Sequence, residues 1–591
     1  MNIFADGLSV LGGQVWTIFS IFITVIWGQI IIIALFNKTF KGKLSSSEII
    51  SLGMAGWILP AFFLSMLLFV GAFLFGKIAT ISILSLAVVA VIFLLFAGRL
   101  GQISLPTVSL FIGALIVFFI LQVAFLKNML LPSYFDSAEH YRIIKYLSEY
   151  YISSRISFPS PNYYHIGFHV ISTTVVDVFH LGIVDTMLVF GQVILAILPF
   201  SLFFIIKRET DSNSAAAFTC LLAGIGWHMP SHLMDWGKYP ALFSLVCIQF
   251  VLNIGYLLYR NNHPKPERFS LYWLLALGVL VSFLFHTRSL VVFAFMGISL
   301  LLTIWRKRLS ILFQQFSFVL VGLLLAAEIV VVQNNPVFTL LFEAYISQDI
   351  LTTSLALILL IFSAWAFPDL TFFLLLLISL LIAGLFIPVA GFLGYGALTL
   401  LDRPYVQMLF YIPLSIFGGL GLAGLYQLLP RFSFHPKLSA RLVTLSLVGF
   451  VLLNARSNHV FYASDCCQIA SYDDLAAIHW MNKTLPPDAN ILIASTDMLV
   501  TSLESPDALV GVDGGIWINP LISRRTTPAR GTLNFDEPQN HEGICKRNIN
   551  YIYTGGTVQS FNAIQLTKQI NWYQLVFSLP EAKVFRVIGC E

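Results

Sequence analysis

Charge is what this chain has least of. Asp, Glu, Lys and Arg make up only 10% of its 591 residues, against about 25% in soluble domains. With 58% hydrophobic residues and 53 Phe, that scarcity excludes a soluble globular protein. A net charge of +4 gives no ground for a nucleic-acid partner. Cysteine is scarce too, at 6 residues, and no Cys-x-x-Cys spacing points to a structural metal. Internal repeats, common in transporters, are lacking. A basic stretch ahead of the first apolar run is also lacking, residues 1–14 carrying Asp6 instead. The first span is therefore expected to act as its own uncleaved insertion signal.

What the chain has in abundance is apolar runs of about 20 residues, the length that crosses a bilayer. They fall near 15–36, 51–75, 79–97, 106–126, 184–206, 214–231, 239–259, 270–286, 289–305, 310–332, 351–367, 370–388, 405–427 and 440–455, about fourteen in all. The closest pairs, around Arg288 and around Pro368, could each be one broken helix. With the N-terminus outside, the inner loops hold fifteen Lys and Arg and the outer loops eight, the bias that sets orientation. Both the N-terminus and the C-terminal tail are then expected outside the cell membrane. The segment 165–181, HIGFHVISTTVVDVFHL, is apolar but short, and carries three His and Asp177. It is expected to lie at the outer interface behind Tyr163 and Tyr164, making 127–183 one outer loop with two helices.

After residue 456 the composition changes, and charged residues and turn formers return. Ser471 is placed to cap a helix through Met481. ANILIA, INYIY, YQLVF and KVFRVI read as strands, with a helix near 561–570. The expected architecture is thus a polytopic all-α membrane domain (1–455) followed by a small extracytoplasmic α/β domain (456–591). Four cysteines, Cys466, Cys467, Cys545 and Cys590, lie in that tail, where disulfides are permitted. Cys545 with Cys590 would tie the last strand to the one near 550, while the neighbours Cys466 and Cys467 are not expected to pair with each other.

Ionisable groups beside a membrane are costly and mark candidate sites. Residues 133–146, SYFDSAEHYRIIKY, put Asp136, Glu139 and His140 on one helix face. Asp-x-x-Glu is also a capping box, in which Asp136 takes first-turn amides and Glu139 reaches back. The run WHMPSHLMDWGKYP supplies His228, His232, Asp235 and Lys238 between two Trp, and Pro240 opens the next span. Arg288 and Arg403 stand at two further edges, and guanidinium suits phosphate; each also serves as an interface anchor, Asp402 being the natural partner of Arg403. His165/His169 and His228/His232 are one helical turn apart, Pro230 interrupting the second pair. Glu328 lies within an apolar run.

FDSAEHYRIIKYL, NYYHIGFHVIS and WGKYPAL, in this layout of outward acidic loop, interfacial helix, many spans and outward α/β tail, resemble the GT-C membrane glycosyltransferases. The tail stretches SYDDLAAIHWMNKTLPPDANILIAS and VDGGIWINPLISRRTTPARGTLNF are similar to oligosaccharyltransferase-type proteins. They depart from them in having Val512-Asp513-Gly514-Gly515 without a tandem Trp, so recognition of an Asn-x-Ser/Thr acceptor is not implied. The four spans ahead of the Asp136 loop also exceed that superfamily's minimal pattern. The resemblance implies transfer of a sugar from a polyprenyl-phosphate carrier to a glycan, lipid or protein acceptor on the extracytoplasmic face. Asp136 would be the general base. Glu139 or Asp235 would orient the acceptor, or a divalent cation (Mg or Mn) would sit on Asp136 and Asp235. Lys238, Arg288 and Arg403 would take the charge of the departing phosphate. His140 would share a proton with the base or cap its turn, and His169 and His232 would complete the substrate-binding set. Three other functions compete. A transporter or flippase of lipid-linked glycans should show repeats and midplane charge, a polymerase or ligase Arg-rich outer loops, and a sensory protein a partner for its tail.

Overall fold

A computed structural model describes residues 2–40, 42–75, 77–96, 103–153, 165–260, 264–388, 399–432, 435–500 and 508–590. Tyr163 and Tyr164 lie outside the described residues. In a bilayer every backbone amide must be satisfied within its own segment, so the apolar runs become helices. Among the described residues, eleven are long and apolar enough to cross a membrane. They number twelve if Pro336–Gln348 and Ile350–Ala366, which meet at 91°, form one broken span. The chain is a multi-pass membrane protein by this measure, with fewer qualifying spans than the expected fourteen. The two other marked segments are helical at Lys77–Phe96 and Asn213–Ile225. Of the first, only Ser82–Val91 qualifies, as a shorter apolar helix. The second has 13 residues, about 20 Å of helix, because the chain leaves it at Gly226 for a packed loop. The sharp bend also lies elsewhere than expected: helices end and restart cleanly around Arg288 and Pro368, and the break is at Asp349.

Charged side chains gather at two ends of the bundle. One end is knit by Lys43–Glu267, Arg208–Glu48, Arg260–Glu209 and the double contact of Arg306 and Lys307 on Asp369 at 2.9 Å each. The other carries Lys127–Asp6, Lys238–Asp136 and Arg288–Asp402. Between them lies one continuous apolar core. Helices approach closely where glycine allows it. On Tyr411–Phe432, a Cβ at Gly421 would meet the Leu359 carbonyl oxygen at 2.2 Å, and one at Gly424 the Phe362 oxygen at 2.5 Å.

The tail holds a six-stranded sheet. Its strands are β1 (Asn490–Val500), β2 (Ala508–Gly511), β3 (Arg525–Arg530), β4 (Tyr551–Thr554), β5 (Tyr573–Ser578) and β6 (Lys583–Val587). β1 runs parallel to β3 and β4 and antiparallel to β2, and β6 lies between β4 and β5. Ser471 caps the helix Tyr472–Thr484 in a full capping box with Asp474. Cys545 and Cys590 are bonded, and so, against expectation, are the neighbours Cys466 and Cys467. The second bond sits in the linker from the last span to the tail, whose turn at Ser464–Cys467 draws the two side chains together.

Between bundle and tail lies the helix Tyr134–Ser153. Its Ala138, with Leu131 just ahead of the helix, belongs to the tail's core with Ile478, Met481 and Trp517. Lys145 donates to the Pro520 carbonyl at 2.9 Å, and Tyr141 packs edge-on to Trp517. On the bundle side, Ile143 and Leu147 meet Phe69 and Val170, the last on the helix Gly167–Phe179.

Gly421→Val should force the 350–366 and 411–432 helices apart at a cost of about 1–3 kcal/mol, seen as a lower thermal unfolding midpoint in detergent. Gly449→Ala, where a Cβ meets nothing within 4 Å, should leave the midpoint unchanged or slightly raised.

Candidate functional site

The site is built around the loop between Ile225 and Tyr239. Gly237 has φ +61°, and a Cβ there would meet Ser137 Oγ at 2.3 Å and the Ser133 carbonyl oxygen at 2.8 Å. Only glycine combines that left-handed backbone with so close an approach. The approach brings Lys238 onto Asp136. Their side chains are 31% and 19% exposed, sheltered from full screening yet reachable from outside. The helix starts at Tyr134, whose amide donates to the Cys467 carbonyl at 2.9 Å. The capping-box alternative is not what forms: Asp136 is inside the first turn on Lys238, and Glu139 accepts from Arg142 at 2.8 and 2.6 Å.

Asp235, in the same loop, is fully buried. It accepts from the Ser464 amide and hydroxyl at 2.8 Å each and from His232 Nδ1 at 2.9 Å. Its carboxylate thus ties the loop to the linker after the last span. His459 adds a second tie, donating from Nδ1 to the Trp227 carbonyl at 2.9 Å. The His228 amide donates to Asp349 at 2.6 Å, which anchors the loop to the bent span. Asp349, Ser464 and His459 were not singled out in the sequence; an acid between two apolar helices was the one available signal. Trp236 lies edge-on to His232 at 4.6 Å and under the Arg403 guanidinium at 5.7 Å. Arg403 is therefore not the partner of Asp402. That acid binds Arg288 at 2.8 Å and caps the Arg403–Leu409 helix through the Tyr405 amide at 3.1 Å.

Beneath these charges runs a row of imidazoles. His169 Nδ1 donates to the His165 carbonyl at 3.1 Å, which leaves its Nε2 to accept from His140 Nδ1 at 3.0 Å. His165 Nδ1 accepts from the Thr287 amide at 3.2 Å, its ring lies 4.4 Å from that of His286, and His286 stacks on Tyr405 at 4.4 Å. The hydrogen bonds fix the tautomers of His140, His165 and His169 in the neutral state. Burial, aided by neighbouring positive charge, holds His140 and His286 well below the ordinary imidazole value. It lowers His165 to about 4 and His169 to about 3.

The charged groups converge. Lys238 acts electrostatically on His140, His286 and Tyr134, Arg403 on Tyr134, and Arg288 on His165 and His286. Asp136, His140, His169, Lys238, Arg288 and Arg403 thus share one patch, with Asp235 and His232 as the loop's supports and Glu139 turned to Arg142. Asp136 and Asp235 do not fit a divalent cation together. An ammonium occupies the first, and protein donors take both oxygens of the second. The described residues place one His/Cys/acid trio close together, His541 with Cys545 and Cys590, and both its sulfurs are in a disulfide. Asp513 is an internal brace of the tail, accepting from the Gly515 and Gly555 amides and from Ser560.

The model of a family of unknown function, DUF6541, matches residues 97–497, more than half of the chain. The chain belongs to this family. The match takes in the 134–153 helix, the 226–238 loop, Arg288, Arg403 and the Ser464 linker, and ends within β1. No curated protein matches the chain.

Stability should depend on pH through the buried imidazoles. A histidine lowered in the folded state binds its proton more readily once unfolded, so its contribution is intact above about pH 6.5. It is lost as pH falls from there toward 4 and 3, by up to about 1.4 kcal/mol per pH unit for each ring. The unfolding midpoint in detergent should be level above pH 7 and fall below 6.5, with a shallower fall in His169→Gln.

Proposed function

We propose that the chain is a GT-C-type glycosyltransferase, moving a sugar from a polyprenyl-phosphate carrier to an acceptor at the Asp136 end of the bundle. The observation that carries this is the half-sheltered Lys238–Asp136 pair, with Arg288 and Arg403 gathered around it. A carboxylate paired with one cation, with two more on the same patch, supplies a base and an anion cradle in one place. Charge collected at the ends of the bundle rather than at the midplane favours interfacial chemistry over transport.

In the proposed reaction the donor phosphate draws Lys238 away from Asp136, so the carboxylate becomes available only when donor is bound. Asp136 takes the acceptor hydroxyl proton, the acceptor oxygen bonds to the sugar's anomeric carbon, and the carbon–oxygen bond to phosphate breaks. The electron pair leaves with the phosphate, where Lys238, Arg403 and Arg288 stabilise it. The buried histidines hold the floor of the site. Counting the bent pair 336–366 as one crossing and the 77–96 and 213–225 helices as two more brings the eleven to fourteen, an even number that keeps Asp6 and the tail on the Asp136 side. The end rich in Lys and Arg then faces the cytoplasm, and the tail with its disulfides lies outside the cell.

Purified full-length protein in nanodiscs, given a panel of radiolabelled polyprenyl-phosphate sugars and membrane lipid extract as acceptor, should transfer label from one of them. Asp136→Asn should lower that rate by about 10²–10⁴-fold at an unchanged unfolding midpoint. Label transfer at the wild-type rate in the variant would remove Asp136 as base, and no transfer from any donor would count against the class.

A further inference from the structure

At the opposite end of the bundle from Asp136 lies a groove. It runs between the helices Tyr239–Tyr259, Lys265–Phe285, Ser289–Arg306 and Pro368–Phe386. Its walls are apolar except for Tyr256, Tyr259, Thr303 and Asp369. All four of those are at the end where Lys307 and Arg260 stand: Lys307 binds Asp369 at 2.9 Å and covers the Tyr259 ring at 4.4 Å, and Arg260 donates to Tyr256. Gly255 and Gly297 line the groove, and a Cβ at either would meet nothing within 4 Å. The wall residues Leu275, Val279 and Leu300 are part-exposed, so the groove opens sideways toward lipid.

We infer that this groove holds one acyl chain of an anionic phospholipid, with the headgroup phosphate at Arg260 and Lys307. Length is the first argument. From Phe293 to Thr303 the groove follows ten residues of helix, about 15 Å at 1.5 Å per residue. That is half of a hydrocarbon core of about 30 Å, the depth of a chain from one leaflet. Charge is the second. Arg260, Arg306 and Lys307 face two acids, Glu209 and Asp369, leaving one positive charge for an anionic headgroup. The Arg260 and Lys307 side chains are 45% and 43% exposed at this rim, and phosphate draws on their several donors at once. The polar mouth faces away from the Asp136 end, so the groove is distinct from the proposed donor site and does not depend on it.

The test is native mass spectrometry of the full chain, exchanged into nanodiscs of equal parts phosphatidylglycerol and phosphatidylcholine and re-extracted in mild detergent. Wild type should retain one phosphatidylglycerol. Gly297→Leu and, independently, Gly255→Leu fill the groove and should cut retention by about tenfold, with Gly449→Leu, elsewhere on the surface, as the retaining control. Lys307→Gln should bring the two lipids to near parity. Equal retention in wild type and both groove-filling variants, or no preference for phosphatidylglycerol in wild type, would overturn the assignment.

Discussion

The contact of Lys238 with Asp136 joins positions 102 residues apart, and the arrangement of the polar end depends on it. It is reached only because Gly237 lets the loop backbone lie against the first turn of the 134–153 helix. That helix in turn shares a core with the tail on one side and with the membrane bundle on the other. Loop, helix, tail and linker are therefore one mechanical unit. Ser464 is held by Asp235, and Tyr134 is held by Cys467, three residues further along the same linker. A shift of the tail is passed to both ends of the ion pair.

The polar groups here divide by burial. Those deepest, Asp235 and the His140–His169 pair, have their hydrogen-bonding capacity taken up by fixed protein partners. Leaving a buried charge or imidazole unpaired is costly. Such groups make a rigid floor. At the rim, Lys238, Arg288 and Arg403 are partly exposed and held by ion pairs or by an aromatic face. Contacts of that kind are worth little individually and exchange readily for a better anion. The floor gives position, and the rim gives contacts that can be traded.

Most of the architecture was legible because lipid leaves a chain few choices. Each apolar run had to be a helix, and the composition change at 456 marked the tail. The capped helix at Ser471 and the strands β1, β4, β5 and β6 followed from local pattern. What escaped depends on partners distant in sequence. β2 is four residues and β3, RTTPAR, is polar with a central proline; each is a strand only because β1 lies beside it. The partner of Asp402 could not be read from adjacency, since the neighbouring Arg403 lies over Trp236 while Arg288 arrives from another hairpin. The span count differed for a similar reason. Asn213–Ile225 is enclosed by protein rather than lipid, and packing, not length, fixes where it stops. Of the candidate site, the residue types were visible but not their roles: Asp235 and Glu139 carry the same charge as Asp136, and only burial and partners separate a brace from an accessible acid.

The two ends of the bundle also differ in how they use positive charge. At the Lys307 end, Arg306 is buried between Phe318 and Phe372 and shares Asp369 with Lys307. Aromatic faces and a common acid fix these cations in place, which suits a lasting partner such as a structural lipid. At the Asp136 end, among the described residues, no acid is shared between two cations in this way: Lys238 pairs with Asp136, Arg288 with Asp402, and Arg403 rests on a ring. Separate pairs open one at a time, so an entering phosphate can displace one carboxylate without dismantling the others. If the two ends act as proposed, retention needs cations that stay put and turnover needs cations that can change partners, and the different spacing of their acids matches that division.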